Sequence, residues 1–243
     1  MSLLKLTAVN KAFGSLEAVK NVECSIAEGE VVGIIGPNGA GKSTLFNLIT
    51  GDLSVDSGEI LFLGQPITTV PTHKRCIAGI GRSYQIPLPF EGLSTFENLI
   101  VAAISGGELS KSKAEGSVVD ILALTGLLHR ANTTAGQLTL IERKRLELAR
   151  AVATNPKLLL LDEIAGGLTT AECEGLVDTI KKINAEGVTI IWIEHLLRAL
   201  LQAAERLIVL DFGESIAEGP TQEVMNNPIV KRIYMGIKPI EEQ

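Results

Sequence analysis

The residues whose types and spacing can do chemistry begin with GPNGAGKST at 36–44, in which four residues separate Gly36 from Gly41 and Lys42 and Ser43 follow directly. Gly36, Gly39 and Gly41 have no Cβ, so successive backbone N–H groups can turn inward and form a nest for phosphate oxygens at a helix N-terminus. In that pattern Pro37, Asn38 and Ala40 complete the loop, and Lys42 reaches between the β and γ phosphates. Ser43 sets its hydroxyl on Mg²⁺, and Thr44 supports the loop. Such a loop needs a carboxylate to hold the magnesium shell. Asp162 closes the run LLLL at 158–161, and the adjacent Glu163 faces another way, where it can take a proton from an attacking water.

These residues need strands to hold them. VVGII at 31–35 is a continuous apolar run that stops at the glycine loop, and LFNLI at 45–49 after it has helical character. The run at 158–161 ends in Asp162 and Glu163, and VTIIWI at 188–193 ends in Glu194 and His195. Buried strands with polar or glycine-rich C-terminal ends predict an α/β sheet carrying its site along one edge. LTAVN at 6–10, VECSI at 22–26 and GEILFLG at 58–64 are short and interrupted, which predicts a small, partly antiparallel sheet beside it. Residues 87–150 change to helical periodicity, and Ser94 with Glu97 three residues later forms a capping-box pattern. GGELSKSKAEG at 106–116 reads as a polar, variable loop inside this helical insert, and RKRLELAR at 143–150 as a solvated helix face with Leu146 and Ala149 inward.

A chain of 243 residues can bury a sizeable core without staples. Cys24, Cys76 and Cys173 lie far apart, so they read as small apolar side chains in a reducing compartment rather than as a metal or redox site. The first residues do not read as a signal peptide. No apolar run approaches the ~20 residues needed to cross hydrocarbon. A formal charge of −6 argues against a nucleic-acid partner.

With these motifs in place, the chain closely resembles the ATP-binding cassette (ABC) ATPases over nearly its whole length. Within them it resembles the ATPase subunits of branched-chain amino acid importers and of relatives that move urea, short amides or aromatic acids. The resemblance implies a P-loop cassette with a mixed parallel core sheet, a small antiparallel β subdomain and a helical insert. As one domain over 1–243 it would comprise a nucleotide-binding core (1–86 and 151–219), a helical subdomain (87–150) and a C-terminal helical segment (220–243). It implies that Phe13 stacks on adenine, that Gln85 senses Mg²⁺ and γ-phosphate, and that His195 contacts γ-phosphate beside Glu163. It also implies that IPLPFEGLSTFENL at 86–99 receives a helix of a membrane subunit.

The signature segment that would contact a partner subunit's nucleotide is Leu138, Thr139, Leu140, Ile141 and Glu142, and it departs from the family pattern. Thr139 keeps a hydroxyl and Glu142 completes a capping box, but Ile141 stands where the family has glycine. A β-branched side chain there can obstruct the phosphate or be barred by a glycine-only conformation. Either the subunit pairs with a different ATPase and one site is weakened, or Ile141 is tolerated and a homodimer works at both sites. After Glu163 the chain has Ile164 where many relatives have proline, and Gly167, Leu168 and Thr169 occupy the crossing loop.

The resemblance therefore implies Mg²⁺-dependent ATP hydrolysis that powers transport of a small solute, with branched-chain amino acids first among the candidates. The expected partners are integral permease subunits, a second ATPase subunit and a periplasmic or extracellular solute-binding protein. The expected place is the cytoplasmic face of the membrane. A lipid or lipopolysaccharide exporter, a low-turnover regulatory subunit and a non-transport ABC ATPase are the competing readings.

Overall fold

The computed structural model describes residues 2–235. In chain order the elements are β1 (Ser2–Phe13), β2 (Leu16–Ala27), β3 (Val31–Ile35), α1 (Lys42–Thr50), β4 (Ser57–Phe62), β5 (Gln65–Pro66), α2 (Thr72–Ala78), β6 (Ile80–Ser83), α3 (Thr95–Ser105) and α4 (Lys111–Leu124). There follow α5 (Leu140–Ala153), β7 (Leu158–Asp162), α6 (Thr170–Ala185), β8 (Thr189–Ile193), α7 (Leu197–Ala203), β9 (Arg206–Asp211), β10 (Glu214–Pro220), α8 (Thr221–Asn226) and α9 (Pro228–Met235). The chain forms two compact units, Met1–Thr69 with Trp192–Gln243, and Val70–Ile191.

In the first unit β1 and β2 form a long antiparallel hairpin closed by Phe13 opposite Leu16. β4 pairs with the other edge of β1 and β5 follows, so the order is β2-β1-β4-β5. This is the small antiparallel sheet predicted from 6–10, 22–26 and 58–64. β3, buried at all five positions, runs parallel to β9, and β10 returns antiparallel to β9. Arg206 ties the start of β9 down with a two-pronged contact to Glu30, 2.6 and 3.0 Å, and a bond to the Ser25 carbonyl. All three cysteines are free thiols, and burial, with the Glu218 charge adding, pushes Cys24 up to about 12. In the segment expected as C-terminal and helical, α8 and α9 run over Thr221–Asn226 and Pro228–Met235. Residues 236–243 of that expectation lie outside the described residues.

In the second unit β6 and β7 are parallel, from Ile80 opposite Leu158 to Ser83 opposite Leu161. α3, α4 and α5 pack around Leu99, Ala103, Val118, Leu122, Leu146 and Ala149. The predicted capping box of α3 is formed, with Ser94 accepting from the Glu97 backbone and Glu97 from that of Ser94. The polar segment at 106–116 differs from its reading as a loop, because α4 already begins at Lys111. Ala114, Val118, Ile121 and Leu122 fall on one buried stripe at helical spacing, and their burial outweighs the weak helix preference of Gly116, Ser117 and Asp120 between them. The basic segment 143–150 does turn Leu146 and Ala149 inward. Its cations are not simply solvated, however. Arg143 donates to the Gly136 and Leu138 carbonyls, Lys144 to the Gly166 carbonyl and Arg150 to the Leu88 carbonyl.

Candidate functional site

The glycine loop leaves β3 at Ile35 and enters α1 at Lys42. Two close approaches explain why glycine is required in it. A Cβ on Gly36 would lie 2.2 Å from the Leu210 carbonyl oxygen, and one on Gly41, at φ 97°, 2.1 Å from that of Ala18. The Gly213 N–H donates to the Ala40 carbonyl, 3.1 Å, so the turn between β9 and β10 braces the loop from behind. The N-terminus of α1 carries no side-chain cap, which leaves it open to an anion. Lys42 is only 6% exposed, and its ammonium donates to the carbonyls of Gly36 and Pro37 at 2.8 and 3.0 Å. It folds back over the loop. Asn38, Gly39 and Ser43 are exposed, Pro37 and Thr44 are half-buried, and Ala40 packs inside.

Phe13 ends β1 in the same unit, half-exposed, with the Lys11 ammonium 5.7 Å from its ring centre, so one aromatic face is positioned at the surface. His195 also belongs to this unit, exposed just after β8 and followed by α7.

The second unit contributes the carboxylates. Asp162 is the last residue of β7, 4% exposed, and accepts from the Arg82 guanidinium of β6 at 2.9 Å. Glu163 leaves the strand at φ 48°, a left-handed conformation that costs a non-glycine residue about 1 kcal/mol, and its side chain takes a different partner from that of Asp162. Its carboxylate accepts from the Gln85 amide at 2.5 Å. The expected water-activating residue and the expected γ-phosphate sensor thus share one hydrogen bond. Arg82, which holds Asp162 while its guanidinium lies 4.7 Å from the Tyr84 ring centre, had no local signal in the sequence.

At the signature segment Thr139 caps α5, and Glu142 accepts from both its N–H and its hydroxyl at 2.9 Å. Arg130 donates to the other oxygen of Glu142 at 2.7 Å. The Thr139 backbone bond, with Arg130, holds the Glu142 carboxyl below the usual range against some burial. The negative charge expected from Glu142 is therefore drawn off within the segment. Ile141 sits in the first helical turn without a positive φ, so the backbone here is not the glycine-only conformation that the sequence had left open. Leu140 projects, 64% exposed, while Ile141 lines a cavity with Leu148, Ile164 and Leu168.

By their chemistry, the Ser43 hydroxyl of the first unit and the Asp162 carboxylate and Gln85 amide oxygen of the second are each hard oxygen donors of the kind Mg²⁺ takes while keeping several waters. The cradle that Cβ atoms at Gly36 and Gly41 would fill suits phosphate. Among the described residues no group of three or more His, Cys, Asp or Glu gathers for an all-protein metal cage, and no helix is long and apolar enough to cross a membrane.

Comparison with known proteins agrees with this geometry. The ABC transporter family model matches residues 19–166. A probable branched-chain amino acid transport ATP-binding protein LivG of Methanocaldococcus jannaschii is 34% identical over 97% of this chain and 98% of its own length. A lipopolysaccharide export system ATP-binding protein LptB of Haemophilus influenzae is 32% identical over 97% and 98%. Among solved structures, a nucleotide-free ATP-binding cassette from an ABC transporter superposes with a TM-score of 0.87 at 32% identity, covering 98% of this chain and 100% of that one.

Proposed function

The chain belongs to the ABC transporter family as an ATP-binding subunit, an ATPase that drives transport of a small solute, and from that premise we propose that its solute is a branched-chain amino acid or a close relative. The observation that carries the catalytic part of this reading is the 2.5 Å bond between Gln85 and Glu163 at the exit of the strand that ends in buried Asp162.

In this reading the N–H groups of the 36–44 loop and the open end of α1 bind the phosphates, and Phe13 stacks on the base. Lys42 exchanges its carbonyl partners for phosphate oxygens. Mg²⁺, when bound, screens the phosphate charge and orients the terminal phosphoryl group, and Ser43, Gln85 and Asp162 would hold it. Glu163 orients a water and accepts its proton, Gln85 fixes the carboxylate that does so, and His195 steadies the γ-phosphate side. Thr139 and the first N–H groups of α5 serve the nucleotide of a second ATPase subunit. Because Ile141 is held in ordinary helical geometry with its side chain in a cavity, these N–H groups stay presented, which favours two working sites over one weakened site.

The exposed run Tyr84, Ile86, Leu88 and Phe90 is an apolar surface fit for a helix of a permease subunit. It is braced from below by Arg150, whose guanidinium lies 5.2 Å from the Phe90 ring centre. The subunit would then work at the cytoplasmic face of the membrane, with a solute-binding protein completing an importer.

The similarity to the lipopolysaccharide export protein favours a second reading, export of an amphiphile. Gentle solubilisation of native membranes, identification of what co-purifies, and uptake of labelled leucine by the reconstituted complex decide between them. Two permeases with ATP-dependent leucine uptake support the importer. Permeases without uptake of any aliphatic amino acid overturn the proposed solute, and recovery of soluble partners alone overturns the transport complex. A different ATPase co-purifying in equal amount would replace the homodimer by a heterodimer.

A further inference from the structure

Between β6 and α3 the chain has no regular structure at 84–90, so its backbone groups need partners from elsewhere. Pro87 and Pro89 have no N–H and stiffen the run on either side of Leu88. The N–H groups of Tyr84 and Leu88 go to one acceptor, the carboxylate of Glu147 in α5. Arg150, one turn later on the same face of α5, sets a single Nη1 on both the Leu88 carbonyl at 2.8 Å and the Glu147 carboxylate at 3.1 Å. At the end of the run Phe90 exchanges two bonds with buried Asn98 of α3, its N–H donating at 2.9 Å and its carbonyl accepting at 3.1 Å.

Glu147 is buried, and burial pushes its carboxyl above the usual range against the Arg150 charge and the two N–H groups. An aliphatic side chain would bury there without that cost, as Leu146 and Leu148 do on either side. What the carboxylate adds is the hold on 84–88. Its two bonds straddle Gln85, one reaching the residue before it and the other the third residue after it. Within that span Ile86 and Leu88 are exposed, while the Gln85 amide donates to Glu163 at 2.5 Å. One buried carboxylate therefore ties an exposed apolar face to the amide that holds Glu163.

We propose that Glu147 is a positioning residue for the bond between Gln85 and Glu163, and that with Arg150 it links a partner docked on Ile86, Leu88 and Phe90 to ATP turnover. The inference rests on the functional reading given above for Gln85 and Glu163. A docked helix that displaces Leu88 displaces the carboxylate that Leu88 shares with Tyr84, and the Gln85 peptide moves with it. Because the Glu147 carboxylate is engaged by this segment, it acts through Gln85 and not on the nucleotide.

Glu147→Gln, Arg150→Met and Gln85→Ala are compared in the assembled transporter, together with the first two each combined with Gln85→Ala. For every variant kcat and KM for MgATP, permease content and melting temperature are measured. Glutamine is nearly isosteric with glutamate, but its single carbonyl oxygen cannot replace two carboxylate oxygens shared by two N–H groups and a guanidinium. Glu147→Gln should lower kcat by about 10–100-fold, as a displacement of the order of 1 Å in a reacting group does, with KM and permease content within about twofold of the parent. On the Gln85→Ala background the same substitution should lower kcat by less than about twofold, because the group it positions is gone. Arg150→Met should show the same non-additivity with a smaller loss, and it decides the matter if Glu147→Gln does not assemble. Unchanged kcat in Glu147→Gln, a KM that rises as far as kcat falls, or losses that multiply with that of Gln85→Ala overturn the positioning role. Parent-like turnover in Gln85→Ala overturns instead the reading of Gln85 on which the inference rests, so the two failures are distinguishable.

Discussion

Replacing Ile141 by glycine restores the residue type that the family pattern has at this position and separates two effects of the side chain. In the structure Ile141 is partly buried in the first turn of α5, in ordinary helical conformation, with its side chain in the cavity beside Leu148 and Ile164. Its four aliphatic carbons, at ~0.8 kcal/mol each when fully buried, set a ceiling of about 3 kcal/mol, and partial coverage reduces that to about 2 kcal/mol. Glycine in a helix costs a further ~0.5–1 kcal/mol in backbone entropy. The variant is therefore expected to lose about 2.5–3 kcal/mol, and a chain of this size should melt roughly 5–10 °C lower. ATP turnover below the melting range should stay within about twofold of the parent, because the N–H at 141 is already presented and no side chain is withdrawn from the phosphate. Differential scanning calorimetry and a steady-state phosphate-release assay on the assembled transporter measure the two effects. A rise in turnover of tenfold or more, equivalent to about 1.4 kcal/mol of barrier, with little loss of stability would refute the reasoning. It would mean that Ile141 obstructs the site and is not serving the core.

Glu163→Gln should keep an oxygen to accept from Gln85 and so preserve MgATP affinity, while hydrolysis falls by about 10²–10⁴-fold with loss of the base; turnover within threefold of the parent would remove Glu163 from that role. Leu88→Asp puts a charge on a side chain that is 76% exposed, so the isolated chain should keep its melting temperature and nucleotide affinity but no longer co-purify with permease subunits, and retained co-assembly would place the docking surface elsewhere. Glu142 has its folded pKa depressed, chiefly by the Thr139 N–H, so its contribution to stability is present above the unfolded value of about 4.3 and is lost as pH falls through the lower folded value. Urea midpoints between pH 6 and 3 should accordingly fall less steeply on acidification for Glu142→Gln than for the parent; parallel curves would show that the cap does not titrate in this way.

The phosphate loop was legible in the sequence because a nest for phosphate is built from contiguous residues, and its requirements for glycine, lysine and a hydroxyl are written in adjacent positions. The dense apolar runs at 31–35 and 158–161 were legible as buried strands for a similar reason, since burial on both faces leaves no place for a polar residue. The capping boxes at Ser94 and Thr139 depend on an i, i+3 spacing and could be read directly. Asp162 and Glu163 could be located by their place at a strand end, but not their partners. Arg82 and Gln85 lie some eighty residues earlier and meet them only because β6 and β7 run parallel and in register. The reason that Gly36 must be glycine lies at the Leu210 carbonyl, which the chain reaches only after β9 has paired with β3. Residues 106–116 looked like a loop because their composition is polar, and the helix within them exists only because Ala114 and Val118 have α3 and α5 to pack against. For Ile141 the sequence could name the departure but not its direction. Local spacing specifies which groups are present, whereas the direction a side chain takes is decided by the cavity that long-range packing leaves open to it.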